Sequence, residues 1–409
     1  MKIWIKLVAG IIIGTVLSFV LDATGNTIEL FSFMTEIVIR VGRYLLFPLI
    51  LFSAATAAYE LRQTKKTIGV LLRALLYPIV AAVLFIITGI LVVLFFSPER
   101  IPIIIESQQS FQLPDIQNTL RRIFPANVFQ VFVTDSSFVF PLLLFSVLFG
   151  LQFTFDRLTT RPVTQVFDSA SRIFYRFNTI VTEVLGLGFI IITAYSVLNI
   201  RSITEISLYR EVFLVIAVVT VLIVFGFIPL MLYLLGKREN PYKLLYGLMA
   251  PAFAGLLSGD TLFSTAFLTN HGKENLGIPR RVGAIIHPLY AMFSRAGTAV
   301  ISAMAFIIIL NSYSNLDITF FQILWVFAFS LLVSFLLFSY PGMGVVVSLA
   351  FLSSLYGNGL EEGFLILNPV TPILISAATM MDVITSGAIA YLISLHEGVA
   401  EEKEIGDFI

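Results

Sequence analysis

Leu245 to Leu268 reads LYGLMAPAFAGLLSGDTLFSTAFL. The stretch is apolar enough for a membrane, yet Pro251, Gly255, Ser258, Gly259 and Asp260 interrupt it. The break after it, HGKENLGIPRR from His271 to Arg281, is basic, and so is the break before it, with Lys237, Arg238 and Lys243. Both ends therefore carry the charge of a cytoplasmic loop, and the segment is expected to enter and return as a re-entrant hairpin with its tip near Leu257, Ser258, Gly259 and Asp260. Irregular backbone at membrane depth survives only against protein or a water-filled cavity. The tip is therefore a candidate site.

The composition agrees with a membrane setting. The chain has 409 residues, 58% hydrophobic and 12% charged, with a mean hydropathy of +0.97, whereas soluble domains carry about 25% charged residues. This is the composition of a polytopic membrane protein. The formal net charge is zero and no long basic run occurs, so nucleic acid is not an expected partner. Cys is absent, and none of the three His is spaced as a metal pair, so no metal site or cofactor is expected. No phosphate-cradling Gly-rich loop precedes a Lys-Ser or Lys-Thr pair, and no nucleophile–base arrangement stands out, which argues against ATP-driven transport and against an enzyme. Lys2 and Lys6 flank the start of the first apolar run, a pattern shared with signal peptides. The run has spanning length and no small-x-small site follows, so cleavage is not expected.

Outward from the hairpin, apolar runs place spans at about 3–21, 31–59, 72–97, 119–156, 167–199 and 208–236. Lys2 and Lys6, then Arg62, Lys65 and Lys66, then Arg157 and Arg161, then Lys237, Arg238 and Lys243 fall at alternate ends, which puts the N-terminus in the cytoplasm. Beyond the hairpin, a helix over 282–310 is interrupted by Phe293, Ser294, Arg295, Ala296, Gly297 and Thr298. A second long apolar run, Phe320 to Tyr356, carries Ser339-Tyr340-Pro341-Gly342-Met343-Gly344 at its middle, where Pro and two Gly permit another reversal. Paired interrupted segments of this kind point to a transporter's binding site.

The last segment, Asn368 to Leu395, has spanning length but holds Thr379, Asp382 and Ser386 within roughly 60° of one helical face. A carboxylate at the centre of a membrane helix costs about 2.5–3.5 kcal/mol on insertion scales, so it normally faces a protein interior or a water-filled path.

In the order of its motifs the chain resembles the dicarboxylate/amino acid:cation symporter family, the glutamate transporter homologues. The residues that carry the resemblance are Phe47 to Ser53, Pro125 to Phe129, Leu185 to Phe189, Pro288-Leu289 followed by Gly297-Thr298-Ala299, Pro341 to Gly344 and Val383 to Ala390. The resemblance implies an all-α polytopic fold of eight transmembrane helices plus two re-entrant helical hairpins, assembled as a homotrimer. It also implies scaffold helices 1–2 in residues 1–71, transport-domain helix 3 and a loop in 72–118, and scaffold helices 4–5 in 119–200. The rest of the transport domain, from helix 6 through both hairpins to helix 8, falls in 201–409. That domain moves like an elevator and holds substrate between the hairpin tips, the broken helix and the last helix.

Several positions depart from the family pattern. Where sodium-coupled members have Asn-Met-Asp-Gly-Thr, this chain has Ser294-Arg295-Ala296-Gly297-Thr298. The Thr-Ser pair of the third helix falls on Ala81 and Ala82, and in the last helix the family's two acids, Arg and Asn fall on Ile375, Ser386, Ala378 and Asp382. At least three sodium-binding positions thus lack oxygen ligands, and hard cations need several. Full sodium coupling is not expected; coupling to protons, or weak coupling, is.

The substrate-binding candidates are Ser258, Gly259, Arg295, Thr298, Pro341, Gly342, Gly344, Thr379, Asp382 and Ser386, and the coupling candidates are Asp382, Asp260 and His287. Asp382 is a proton carrier or cation ligand, or else a structural partner of Arg295. Arg295 binds a carboxylate or supplies a fixed charge, or else locks the unwound segment. Asp260 caps the second arm of its hairpin or binds a ligand, and His287 shuttles protons or satisfies a carbonyl freed by Pro288. Arg40 and Arg43 are read as scaffold or interface residues. The expected function is secondary active transport of a small polar solute, a carboxylate or amino acid, across a bacterial inner membrane, with lipid and solute as partners. The alternatives are a channel or leak pathway on the same fold and a sensor-like subunit without transport.

Overall fold

The computed structural model describes residues 3–102, 116–133, 138–203, 205–236, 240–314, 318–336 and 343–409, and among these it holds helices and turns and no β-strand. Seven helical stretches of the described residues are long and apolar enough to cross a membrane. The chain is an all-α polytopic membrane protein.

Helix α1 (Ile3–Val20) matches the first expected span. The second is divided into α2 (Gly25–Arg43) and α3 (Leu46–Gln63), which part at Tyr44 and Leu45. Pro48 explains the division, because it has no N–H to give the Tyr44 carbonyl. α4 (Thr67–Phe96) is one long helix closed by Ser97 at φ 41°.

The expected span 119–156 is instead a short α5 (Ile116–Ile123), a 3-10 turn Val128–Phe132 held by the Asn127 side chain, and α6 (Phe140–Gln152). Pro125 and Pro141 interrupt what apolarity alone reads as continuous. α7 (Arg157–Arg201) starts ten residues earlier than the expected 167, because Asp156 caps it by accepting from the N–H groups of Leu158 and Thr159 at 3.1 and 3.3 Å. Its polar opening turns look like a loop in a hydropathy reading and are helical all the same.

The next span runs as α8 (Arg210–Val221), a π turn Leu222–Phe227 and α9 (Ile228–Leu235). The π turn precedes Pro229, where one rung of the backbone ladder is missing. Asn240 then caps α10 (Pro241–Gly247).

The second half follows the expected plan. α11 (Met249–Ser258) and α12 (Thr261–Glu274) pack on each other as a helical hairpin that turns at Gly259 and Asp260. α13 (Arg280–Phe293) and α14 (Ala296–Tyr313) form the broken helix. α15 (Phe320–Leu336) and α16 (Gly344–Tyr356) are the arms of the second hairpin, and they too are in contact. Its expected tip residues Pro341 and Gly342 lie outside the described residues. A 3-10 segment, Gly363–Val370, leads into α17 (Thr371–His396).

Two packing features position the site. α1 lies almost backbone to backbone on α7, since a Cβ at Gly10 would stand 2.8 Å from the Gly186 carbonyl oxygen and one at Gly14 2.9 Å from Thr193 Cβ. Small residues four apart permit that approach in a membrane helix pair. The broken helix is the centre of the molecule: 94% of its most apolar window is buried, against 28–44% in the other spanning stretches. α17 lies beside it, packed against α4, α11, α12, α13, α14 and α16.

Candidate functional site

A helix leaves its first N–H groups without partners, and α14 begins in the middle of the protein, where water cannot supply them. Asp382 does. Its Oδ1 accepts from the N–H of Gly297 at 2.7 Å and of Thr298 at 3.3 Å, and its Oδ2 accepts from the Thr298 hydroxyl at 2.7 Å. The acid expected to be costly on α17 is thus an N-cap lent to another helix, placed where the helix dipole favours negative charge. Asp382 is 1% exposed. Gly297 makes the approach possible, because a Cβ there would meet the Ala378 carbonyl and lie 2.7 Å from Met381 Cβ.

Arg295 stands at the break itself and is 2% exposed. Its Nε donates to the Met292 carbonyl at 3.1 Å, while its buried Nη2 has no hydrogen-bond partner among the described residues. It is within electrostatic reach of Asp382, but the carboxylate bonds to α14 and not to the guanidinium. The side chain points towards the start of α16, where a Cβ added to Gly344 would lie 3.2 Å from Arg295 Nη1 and 3.1 Å from Thr298 Cγ2. Ser294, before it, is buried, and its hydroxyl has no partner among the described residues. Arg295, Thr298, Gly344 and Asp382 therefore form one layer between the broken helix, the second hairpin and α17.

The first hairpin reaches α17 farther along. Gly259 has φ 63°, a conformation natural to Gly, and a Cβ there would lie 2.9 Å from Ile375 Cγ2. The Ser258 hydroxyl donates to the Ala254 carbonyl at 2.5 Å and accepts from the Asp260 N–H at 3.1 Å. Asp260 caps α12, its Oδ1 accepting from the Phe263 N–H at 2.8 Å, and its Oδ2 pairs with Arg43. Both polar groups of this tip are committed to holding its own shape.

The remaining candidates lie apart from the layer. Thr379 is buried, with its carbonyl facing Gly255 of α11, and the Ser386 hydroxyl donates to the Asp382 carbonyl at 2.7 Å along its own helix. His287 lies eight residues before Arg295 on α13, about 12 Å along the axis. It opens on a different cavity, shared with Leu46, Ser53, Tyr175, Thr269 and Lys273. Its ring Nε2 fits between Gly272 and Gly283, and its Nδ1 has no partner among the described residues. Among the described residues no cluster of three or more His, Asp or Glu side chains is arranged to hold a metal ion.

The sequence reading did not anticipate the Arg43–Asp260 pair or the role of Gly297. A basic residue in the last turn of α2 fits any interface, and nothing local names its partner. Gly297 was read as part of an interruption, although its position two residues after a buried Arg marks the start of a new helix in need of a cap.

The chain belongs to the sodium:dicarboxylate symporter family, whose model matches residues 1–395. Relatives at low identity are transporters. A protein of Caenorhabditis elegans named as a sodium-dependent excitatory amino acid transporter is 23% identical over 352 residues, 74% of this chain and 65% of the relative. Excitatory amino acid transporter 1 of Rattus norvegicus is 25% identical over 183 residues, 45% of this chain and 34% of its own length. The proton/sodium-glutamate symport protein of Geobacillus stearothermophilus is 23% identical over 425 aligned positions, covering 100% of this chain and 96% of the relative. The chain thus spans less than two thirds of the first two relatives and nearly all of the third. The glutamate-transporter-like architecture read from the motifs is the family's.

Proposed function

We propose that this protein is a secondary active transporter that carries a small polar solute, a carboxylate or amino acid, through the layer formed by Arg295, Thr298, Gly344 and Asp382. The observation that carries the reading is the buried guanidinium of Arg295 at the broken helix, whose Nη2 has no hydrogen-bond partner among the described residues and whose Nη1 faces Gly344 in the first turn of α16. A guanidinium with free donors in a dry setting is suited to a carboxylate. The second hairpin closes over this layer, and solute reaches it when that hairpin moves.

In the same reading residues 1–71 and 119–200 form a scaffold at the centre of a homotrimer in a bacterial inner membrane, with the N-terminus cytoplasmic. Residues 72–118 and 201–409 move as an elevator. A full set of sodium ions does not suit the layer: both oxygens of Asp382 are committed to α14, and the neighbouring charge is the Arg295 guanidinium. A sodium ion there lacks free oxygen ligands and faces a like charge. Proton coupling or weak coupling fits the layer better.

Reconstitution in liposomes tests the proposal. Saturable uptake with counterflow is the expected result, driven by an imposed pH gradient and indifferent to sodium. Unsaturable current would make the protein a channel, and no flux would make it a non-transporting subunit. Sodium-driven accumulation at fixed pH, unchanged by Asp382→Asn, would overturn proton coupling through that residue.

A further inference from the structure

Four described segments meet around the broken helix: 255–262, 290–300, 343–348 and 371–390. Their only charged side chains are Asp260, Arg295 and Asp382. What a bound solute finds there depends on which of the three still has a free donor or acceptor.

Asp260 accepts from the Phe263 N–H and pairs with Arg43. Asp382 accepts three bonds from Gly297 and Thr298, divided over both of its oxygens. Neither acid is left for a solute. Arg295 is the reverse case: among the described residues it makes one bond, from Nε to the Met292 carbonyl, its buried Nη2 has none, and the residue is 2% exposed. A buried charged donor without a partner is costly, and an anion brought to it recovers a charge-assisted bond.

We propose that the solute is a small monoanion without an ammonium group, such as a short monocarboxylate, with its anionic end on Arg295. This rests on the transport reading above and narrows it. An amino acid would bring its ammonium beside a guanidinium with no uncommitted acid to receive it, and like charges repel strongly where water is excluded. A dicarboxylate would bring a second negative charge with no second cation to meet it, close to the Asp382 carboxylate. A monoanion needs only what the layer offers. The wall against the guanidinium is small, with Gly344 facing Nη1, which suits a short tail.

Lactate and alanine separate the alternatives because they differ in a hydroxyl against an ammonium at the same carbon. The full chain is purified, and its melting temperature is measured with lactate, alanine, succinate and aspartate. Counterflow of each labelled solute is measured in liposomes. Lactate is expected to raise the melting temperature and to exchange, binding at least about tenfold more tightly than the other three. Arg295→Met is expected to remove the lactate effect, and Arg295→Lys, which keeps the charge but loses the planar fork, to weaken it about tenfold. If Arg295→Met does not fold, Arg295→Lys decides alone, and unchanged lactate affinity there overturns the proposal.

The outcomes keep this inference and the transport reading apart. Counterflow of alanine or aspartate with lactate inert overturns the monoanion and leaves the carrier standing. A lactate-dependent rise in melting temperature, lost in the Arg295 variants, without counterflow of any solute supports the anion site and overturns the carrier. Neither a shift nor counterflow with any of the four overturns both.

Discussion

Arg43, in the last turn of α2, pairs with Asp260 at the tip of the first hairpin, across 217 positions of chain, and the same carboxylate caps α12 through Phe263. One acid therefore serves both a tertiary link and a local helix end. The two roles separate by substitution. Asp260→Asn keeps a good cap and loses the ion pair, whereas Asp260→Ala loses both. The expected order of thermal stability in detergent is wild type, then Asp260→Asn close to Arg43→Gln, then Asp260→Ala lower by about a further 1 kcal/mol. The double variant Arg43→Gln/Asp260→Asn should lose less than the sum of the two single changes, as in any coupled pair.

Asp382 is expected to tolerate Asn better than Ala. The amide oxygen of Asn accepts from the backbone of Gly297 and Thr298, and its NH2 donates to the Thr298 hydroxyl oxygen. Ala leaves the N–H groups of α14 open in a dry interior, at about 1–3 kcal/mol for each unpaired group. Expression level and melting temperature should fall much further for Asp382→Ala than for Asp382→Asn.

Gly344 tests how tightly α16 covers the layer. A Cβ there lies 3.1 Å from Thr298 Cγ2 and 3.2 Å from Arg295 Nη1, so Ala requires shifts of a few tenths of an ångström and Val considerably more. Gly344→Ala should keep the fold within about 1 kcal/mol while weakening solute binding. Gly344→Val should cost about 1–3 kcal/mol as overpacking. Equal solute affinity in wild type and Gly344→Ala would show that α16 does not border the bound solute.

Gly259→Ala combines two penalties, about 1 kcal/mol or more for a left-handed backbone and a Cβ placed 2.9 Å from Ile375 Cγ2. Trimming the neighbour removes only the second. The double variant Gly259→Ala/Ile375→Ala should therefore melt above the value expected from adding the single effects, and additive behaviour would mean that the backbone alone carries the loss.

Asp156 gives a pH dependence outside the membrane. The Thr159 hydroxyl, then the N–H groups of Thr159 and Leu158, hold its carboxyl below the ordinary 3.8. A lowered folded-state pKa means that the cap contributes above pH 3.8 and is lost as pH falls through the lowered value. Hydrogen exchange at the first turn of α7 should accelerate below that pH. In Thr159→Val the loss should begin at a higher pH.

The breaks of the second half were legible where the sequence itself supplies breakers. Ser258-Gly259-Asp260 combines a residue free to turn left-handed with a helix cap, and the Ser294-to-Thr298 interruption falls where α13 ends and α14 begins. Hydropathy was a poorer guide to the first half. A run of apolar residues looks the same whether one helix or two pass through it, so the division at Tyr44 and Leu45 rested on the single missing donor of Pro48. The opening of α7 was lost for the opposite reason, because polar turns with a good cap form helix without apolarity. In the site, residue types were readable but partnerships were not. Asp382 and Arg295 were singled out as a pair, yet the carboxylate closes a helix end and leaves the guanidinium with a free donor, a distinction that only the arrangement of α14 and α17 decides.

The cap that Asp382 lends to Gly297 crosses 85 positions of chain. As the chain is synthesised, the broken helix emerges with its first turn unfinished and stays so while the whole second hairpin follows it. Only the arrival of α17 completes it. The order of assembly is therefore written into the site: the layer that would receive a solute closes only once α17 has been made, and a chain halted before Asp382 holds every other element of the layer without the group that secures α14 to it.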